Sequence, residues 1–194
     1  YSHPFWNEPQ YDQSFNRVVD YVGVGCRPGM NSRHVDFITL DYPQYPKQLE
    51  EGRTNTWEPD IFFGVVSPPD EKGYCSFGNA LWYNKDVAKT AKTFVAEVDP
   101  TFVRTHGDNW IHVSEIDYLV EESKAFPLGT PPPPEEERGT LEVIGEFAST
   151  LIRDGDTVQM GIGAISESIG YFLMEKNDLG IHSEIMTVTH VELV

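Results

Sequence analysis

The residues best spaced for chemistry lie between Asp156 and Glu184. Asp156 to Met160 reads as a strand, Gly161-Ile162-Gly163 as a turn, Ile165 to Lys176 as a helix, and Ile181 to Val188 as a returning strand. Glycines at a strand-to-helix turn let the backbone approach a ligand, and free N–H groups at the helix start stabilise negative charge. Two chemistries use that device. One is dinucleotide binding, whose fingerprint needs a third glycine where this chain has Ser166, with an acidic residue about twenty positions on, near which Glu184 falls. The other is acyl transfer, in which a carboxylate attacks a thioester and N–H donors hold the developing oxyanion. Glu184 and the N–H groups around Gly163 and Ala164 sit at neighbouring strand ends of one βαβ unit, so they are expected to face one cleft. A solvated charge on a strand end is the plain reading of a lone glutamate. Spacing alone leaves the three open.

His106, Asp108 and His112 are the residue types of a facial metal triad. The histidines lie so close in sequence that a structural or pocket-lining role is expected instead, with no metal. Cys26 and Cys75 show no Cys-x-x-Cys pairing and read as buried free thiols. That reading places the chain in a reducing compartment, the cytoplasm or the mitochondrial matrix.

The elements that must position these residues alternate. Val35 to Leu40 reads as a strand and Pro46 to Glu51 as a short helix. Ile61 to Val66 is a continuous apolar run, expected to be a strand buried on both faces, and it ends at the turn formers Ser67-Pro68-Pro69-Asp70. Asp86 to Lys92 reads as a helix and Thr93 to Val98 as another buried strand. Alternation of this kind predicts an α/β fold with a largely parallel sheet. The four prolines from Pro131 to Pro134 predict an extended connector over 128–134. Residues 1–127 then form a first α/β domain, and 135–194 begin a second. That second part opens with a helix from Glu135 to Arg153, apolar at Leu141, Ile144, Phe147 and Leu151. The helix from Ile165 carries Ile165, Ile169, Phe172 and Leu173 on one face.

Charge narrows the function classes. With 31 acidic against 14 basic residues the net charge is −17, which excludes the basic face that nucleic acid or an anionic membrane surface requires. No apolar run is long enough to span a bilayer. The chain begins without Met and ends inside an apolar-rich stretch, so it is expected to be a piece of a longer protein.

Gly161-Ile162-Gly163-Ala164-Ile165 followed by Leu179-Gly180-Ile181-His182-Ser183-Glu184 resembles the active-site stretch of the acetyl-CoA hydrolase/transferase family, which includes the 4-hydroxybutyrate and butyrate:acetate CoA-transferases. Three further stretches resemble the same family in the same order: Val66-Ser67-Pro68-Pro69-Asp70 with Gly73-Tyr74-Cys75-Ser76, then Ala96-Glu97-Val98, then Arg104-Thr105-His106-Gly107-Asp108 through Asp117. The resemblance implies two similar α/β domains, of which this chain holds the first and the start of the second. It implies CoA transfer between a short-chain acyl-CoA and a carboxylate, ping-pong, through a glutamyl-CoA thioester on Glu184. Gly161, Ile162, Gly163, Ala164 and Ile165 would then form the CoA-binding and oxyanion loop. Hydrolysis of the acyl-CoA is the alternative within the family, and a nucleotide-binding module or non-catalytic fragment the alternative outside it. Coenzyme A enters as substrate, with no permanently bound cofactor. A homo-oligomer, or a missing C-terminal half with further CoA contacts, is expected as partner. After Glu184 the family runs to Ser-Asp-Gly-Val, whereas this chain reads Ile185-Met186-Thr187-Val188-Thr189-His190, so the Asp-Gly turn is absent.

Overall fold

Apolar runs bounded by turn formers become the central strands. A computed structural model describes residues 14–23, 26–52, 59–121 and 135–193, and the chain divides into two compact units, Tyr1–Phe126 and Pro127–Val194. The proline connector expected over 128–134 lies outside the described residues.

In the first unit, β1 (Arg17–Val19) and β2 (Val35–Phe37) pair in parallel on either side of the short helix α1 (Arg27–Asn31). Helix α2 (Tyr45–Glu50) follows. The main sheet is β3 (Ile61–Val66), β5 (Thr93–Val98) and β7 (Tyr118–Glu121), with β5 in the middle and all pairings parallel. A separate ribbon of β4 (Tyr74–Ser76) and β6 (Trp110–His112) is antiparallel, and α3 (Asn84–Thr90) leads into β5. The core gathers Val66, Cys75, Phe77, Ala88, Phe94, Ala96, Ile111 and Ile116. Phe94 is its centre, stacked against Phe62 at 5.3 Å and Phe77 at 6.1 Å between ring centroids. Cys26 and Cys75 are buried free thiols. Burial raises the Cys75 thiol above its ordinary value.

One expectation is corrected here. β3 is not buried on both faces: Ile61 is 54% and Phe63 70% exposed. Register explains it. Phe62 pairs with Phe94 and Gly64 with Ala96 on the core face, where the buried Ala88 of α3 also packs, and the alternate residues point the other way.

The second unit contains α4 (Glu135–Ser149), β8 (Thr157–Val158), α5 (Ala164–Phe172), β9 (Gly180–Ile181) and α6 (Val188–Glu192). β8 and β9 pair in parallel, so β8, α5 and β9 form a βαβ unit. The first helix ends at Ser149 rather than Arg153, where Ser149 Oγ and Thr150 Oγ1 donate to the carbonyls of Glu146 and Phe147 and compete with further helix bonds. Its expected apolar face is also corrected. Leu141 is buried, but Phe147 and Leu151 are 71% and 81% exposed. The helices meet instead where a side chain is missing. A Cβ on Gly145 would stand 2.6 Å from Phe172, and Ser168 Oγ donates to the Leu141 carbonyl at 2.7 Å. On α5, Gly170 is buried while Ile165 is 52% exposed, and Leu173, just past the helix end, is buried.

Gly170 gives a test of this packing. A Cβ there would lie 2.9 Å from both Cβ and Oγ1 of Thr189, and Thr189 is held by Glu167 at 2.8 Å. Gly170→Ala gains up to about 1 kcal/mol of helix propensity but incurs overpacking of about 1–3 kcal/mol. Since Thr189 is fixed, overpacking wins. The variant is expected to unfold at lower urea; an unchanged or raised midpoint would show that Thr189 moves aside freely.

Candidate active site

Between β8 and α5 the chain passes through Gly161, Ile162 and Gly163. Gly163 is the N-cap of α5 with φ 142° and ψ 161°, a backbone region open almost only to glycine. Its carbonyl accepts the Glu167 N–H at 3.0 Å, starting the helix. Neither Gly161 nor Gly163 has any heavy atom within 4 Å of where a Cβ would stand, so the loop borders open space. Ala164 is the first residue of α5, and the side chains of Ile162 and Ile165 are 48% and 52% exposed beside it.

Glu184 stands elsewhere than expected. The returning strand ends at Ile181, and Val188–Glu192 is helix α6. Glu184 thus lies in an irregular segment past the strand. The reason is that β8 is only two residues long before the glycine turn, so the partner backbone is gone. The last ladder-like bond is His182 N–H to the Val158 carbonyl at 3.0 Å. Ser183 Oγ then donates to the Met160 carbonyl at 2.9 Å. Ser183 precedes Glu184, and Met160 precedes Gly161. That bond therefore brings Glu184 and the Gly161–Ile165 loop to the carboxyl ends of two paired parallel strands, the edge where open α/β sheets hold ligands. The Glu184 carboxylate is exposed, and no hydrogen bond or ion pair holds it among the described residues.

His190 and Thr189, unremarked by spacing arguments, are both buried next to this segment. The signal for them is Thr187-x-x-His190, a capping-box spacing with His in place of Glu or Gln.

In the first unit the loop after β3 is clamped. Arg104 donates to Ser67 Oγ at 2.9 Å, the Pro68 carbonyl at 2.7 Å and the Tyr74 carbonyl at 3.1 Å, pairs with Asp70 at 3.3 Å, and lies 4.6 Å from the Trp110 ring centroid. The role of Arg104 was not legible from spacing. His106, Asp108 and His112 are not brought into a metal site: no such cluster exists among the described residues. Asp108 pairs with Lys85, and His112 caps a short 3-10 turn by accepting the Ser114 N–H at 3.2 Å. No helix among the described residues is long and apolar enough to cross a membrane.

Asp70 carries a pH prediction. The Tyr74 N–H at 2.8 Å, then the Lys72 N–H and the nearby cations, hold its carboxyl below the ordinary value of 3.8. A depressed folded pKa contributes stability above the unfolded value and loses it as pH falls through the folded one. Asp70→Asn is therefore expected to lower the urea midpoint at about pH 6 and to lose that deficit below 3.8. A deficit independent of pH would remove the carboxylate from the account.

Comparison with known proteins gives the family. Residues 6–128 match the acetyl-CoA hydrolase/transferase N-terminal domain. The chain is 42% identical over 181 residues to the 4-hydroxybutyrate coenzyme A transferase of Clostridium kluyveri, covering 93% of this chain and 41% of that protein. It is 35% identical over 170 residues to the succinyl-CoA:cyclohexane-1-carboxylate CoA transferase of Geobacter metallireducens, covering 87% and 37% respectively. Among solved structures, the 4-hydroxybutyrate CoA-transferase of Porphyromonas gingivalis superposes with a TM-score of 0.68 at 31% identity, over 97% of this chain and 48% of that one. RipA of Yersinia pestis gives 0.73 at 28% identity, over 91% and 41%. The chain spans about two fifths of the length of the curated relatives it matches. A family domain over most of the first unit, and relatives and solved folds that cover nearly the whole chain, lead to one assignment: the chain belongs to the acetyl-CoA hydrolase/transferase family.

Proposed function

We propose that the full-length protein transfers coenzyme A between a short-chain acyl-CoA and a carboxylate, with Glu184 as the covalent acceptor. The Glu184 carboxylate attacks the acyl-CoA carbonyl, the C–S bond breaks, and a mixed anhydride forms as CoA thiolate leaves. The thiolate attacks the glutamyl carbonyl, giving a glutamyl-CoA thioester and freeing the first carboxylate. A second carboxylate attacks that thioester, expels the thiolate and forms a new anhydride. Thiolate attack on its acyl carbonyl releases the new acyl-CoA and restores Glu184. Each addition passes through an oxyanion, for which the N–H groups at the Gly161–Ile165 turn and the start of α5 are the proposed donors.

The observation that carries this reading is the Ser183–Met160 hydrogen bond, which sets Glu184 and the glycine turn at one end of the βαβ unit. The relatives named as CoA transferases support it. The two-domain organisation, with 135–194 opening the second domain, belongs to the same proposal, as do acyl-CoA and a short-chain carboxylate as ligands.

The test is the intact mass of the full-length protein after incubation with butyryl-CoA. A gain of CoA minus water, mapped to Glu184, is the expected result. Acyl-CoA consumed to free CoA without a carboxylate acceptor would favour hydrolysis. Untouched acyl-CoA with a folded protein would sink the proposal, and nicotinamide fluorescence quenching in that case would favour dinucleotide binding.

A further inference from the structure

Helix α6 begins where the family resemblance leads one to expect an Asp-Gly turn, and a histidine closes it. His190 is fully buried. Its Nδ1 accepts the Thr187 N–H at 2.9 Å, so Nδ1 carries no proton and the ring is the Nε2–H tautomer. Thr187 Oγ1 lies 2.9 Å from both His190 Nδ1 and Thr189 Oγ1. Thr189 Oγ1 donates in turn to Glu167 Oε2 at 2.8 Å. With Nδ1 occupied by the amide, the hydrogens order in one direction: Thr187 N–H to His190, Thr187 O–H to Thr189, Thr189 O–H to the Glu167 carboxylate.

This chain of bonds joins the two halves of the proposed site. Thr187 is three residues past Glu184, and Glu167 lies in the first turn of α5, bonded through its N–H to Gly163. Ser183 fixes one end of the Glu184 segment on Met160, and Thr187 fixes the other. A nucleophile on an irregular segment needs both anchors, because a misplacement of about 1 Å costs an enzyme about a hundredfold in rate.

We infer that His190 is a positioning residue for Glu184: it is the capping acceptor that holds Thr187, whose hydroxyl is in turn tied through Thr189 to Glu167 in the first turn of α5. This rests on the reading of Glu184 as acyl acceptor. His190 does not touch the reacting atoms in this proposal.

The test uses the full-length protein and butyryl-CoA, with the rate of glutamyl-CoA formation followed by mass. His190→Val removes the acceptor at similar bulk, while His190→Gln keeps one, glutamine being a favoured residue at this capping position. At saturating butyryl-CoA, His190→Val is expected to slow adduct formation about tenfold with the half-saturating concentration little changed, and His190→Gln to restore most of the rate. Valine and wild-type rates that agree would overturn the inference, as would glutamine and valine rates equally depressed. Where His190→Val does not fold, the ring nitrogen shifts of His190 in the wild type decide: the Nε2–H tautomer supports the cap, and an Nδ1–H ring overturns it. A wild-type protein that forms no adduct at all sinks the Glu184 reading itself, a result distinct from adduct formation indifferent to position 190.

Discussion

Glu184→Gln in the full-length protein is expected to abolish the CoA adduct and to reduce CoA transfer by at least about 10⁴-fold. An amide oxygen is a far poorer nucleophile than a carboxylate, and a glutaminyl side chain cannot form the mixed anhydride or the thioester. The substitution is nearly isosteric. Because the carboxylate is exposed and has no partner among the described residues, folding stability should change by less than about 0.5 kcal/mol. A loss of activity is thus separable from a loss of fold. Binding of butyryl-CoA should persist, since the substitution removes one charge and leaves the size of the side chain nearly unchanged. If the variant transfers CoA at a wild-type rate, the nucleophile lies elsewhere.

The strands were most legible where local and tertiary preferences agree. Ile61–Val66 and Thr93–Val98 match their apolar runs to the residue, because turn formers close them: Ser67-Pro68-Pro69 after the first and Asp99-Pro100 after the second. Their burial was less legible, since an apolar run does not say how many of its faces are covered. Packing in the second unit was harder still. The α4–α5 and α5–α6 contacts run through Gly145 and Gly170, where close approach depends on an absent Cβ; periodicity of large apolar residues points instead to Phe147, which is exposed.

The segment after Glu184 shows why the site was only half legible. Ile185, Thr187, Val188 and Thr189 are β-branched and favour a strand. Two effects override them: β8 ends too early for its backbone to pair with a longer β9, and the Thr187–His190 cap starts a helix. The motif resemblance picked out Glu184 and the glycine turn as a pair. The bond that sets them at one edge, Ser183 to Met160, spans 23 residues and leaves no periodic trace in the sequence.

Gly163→Ala is expected to lower the rate of adduct formation by about 10²–10³-fold, the loss associated with removing one oxyanion donor. The argument is torsional. At φ 142° and ψ 161° an alanine is strained by about 1–3 kcal/mol even in open surroundings, and the surroundings are open, with nothing within 4 Å of the new Cβ. No packing contact opposes relaxation, so the backbone should turn toward an ordinary φ. In doing so it moves the Gly163 carbonyl that receives the Glu167 N–H at 3.0 Å and re-aims the N–H groups of residues 163 and 164. Because Glu167 also holds Thr189, the disturbance reaches the Glu184 segment from its far side. Gly139→Ala is the control: it lies in α4 with no atom within 4 Å, so it should leave the rate alone and stabilise the helix by up to about 1 kcal/mol. A Gly163→Ala protein with wild-type rates would show that the α5 start supplies no transition-state donor, and would move the oxyanion site away from this turn while leaving Glu184 as acceptor.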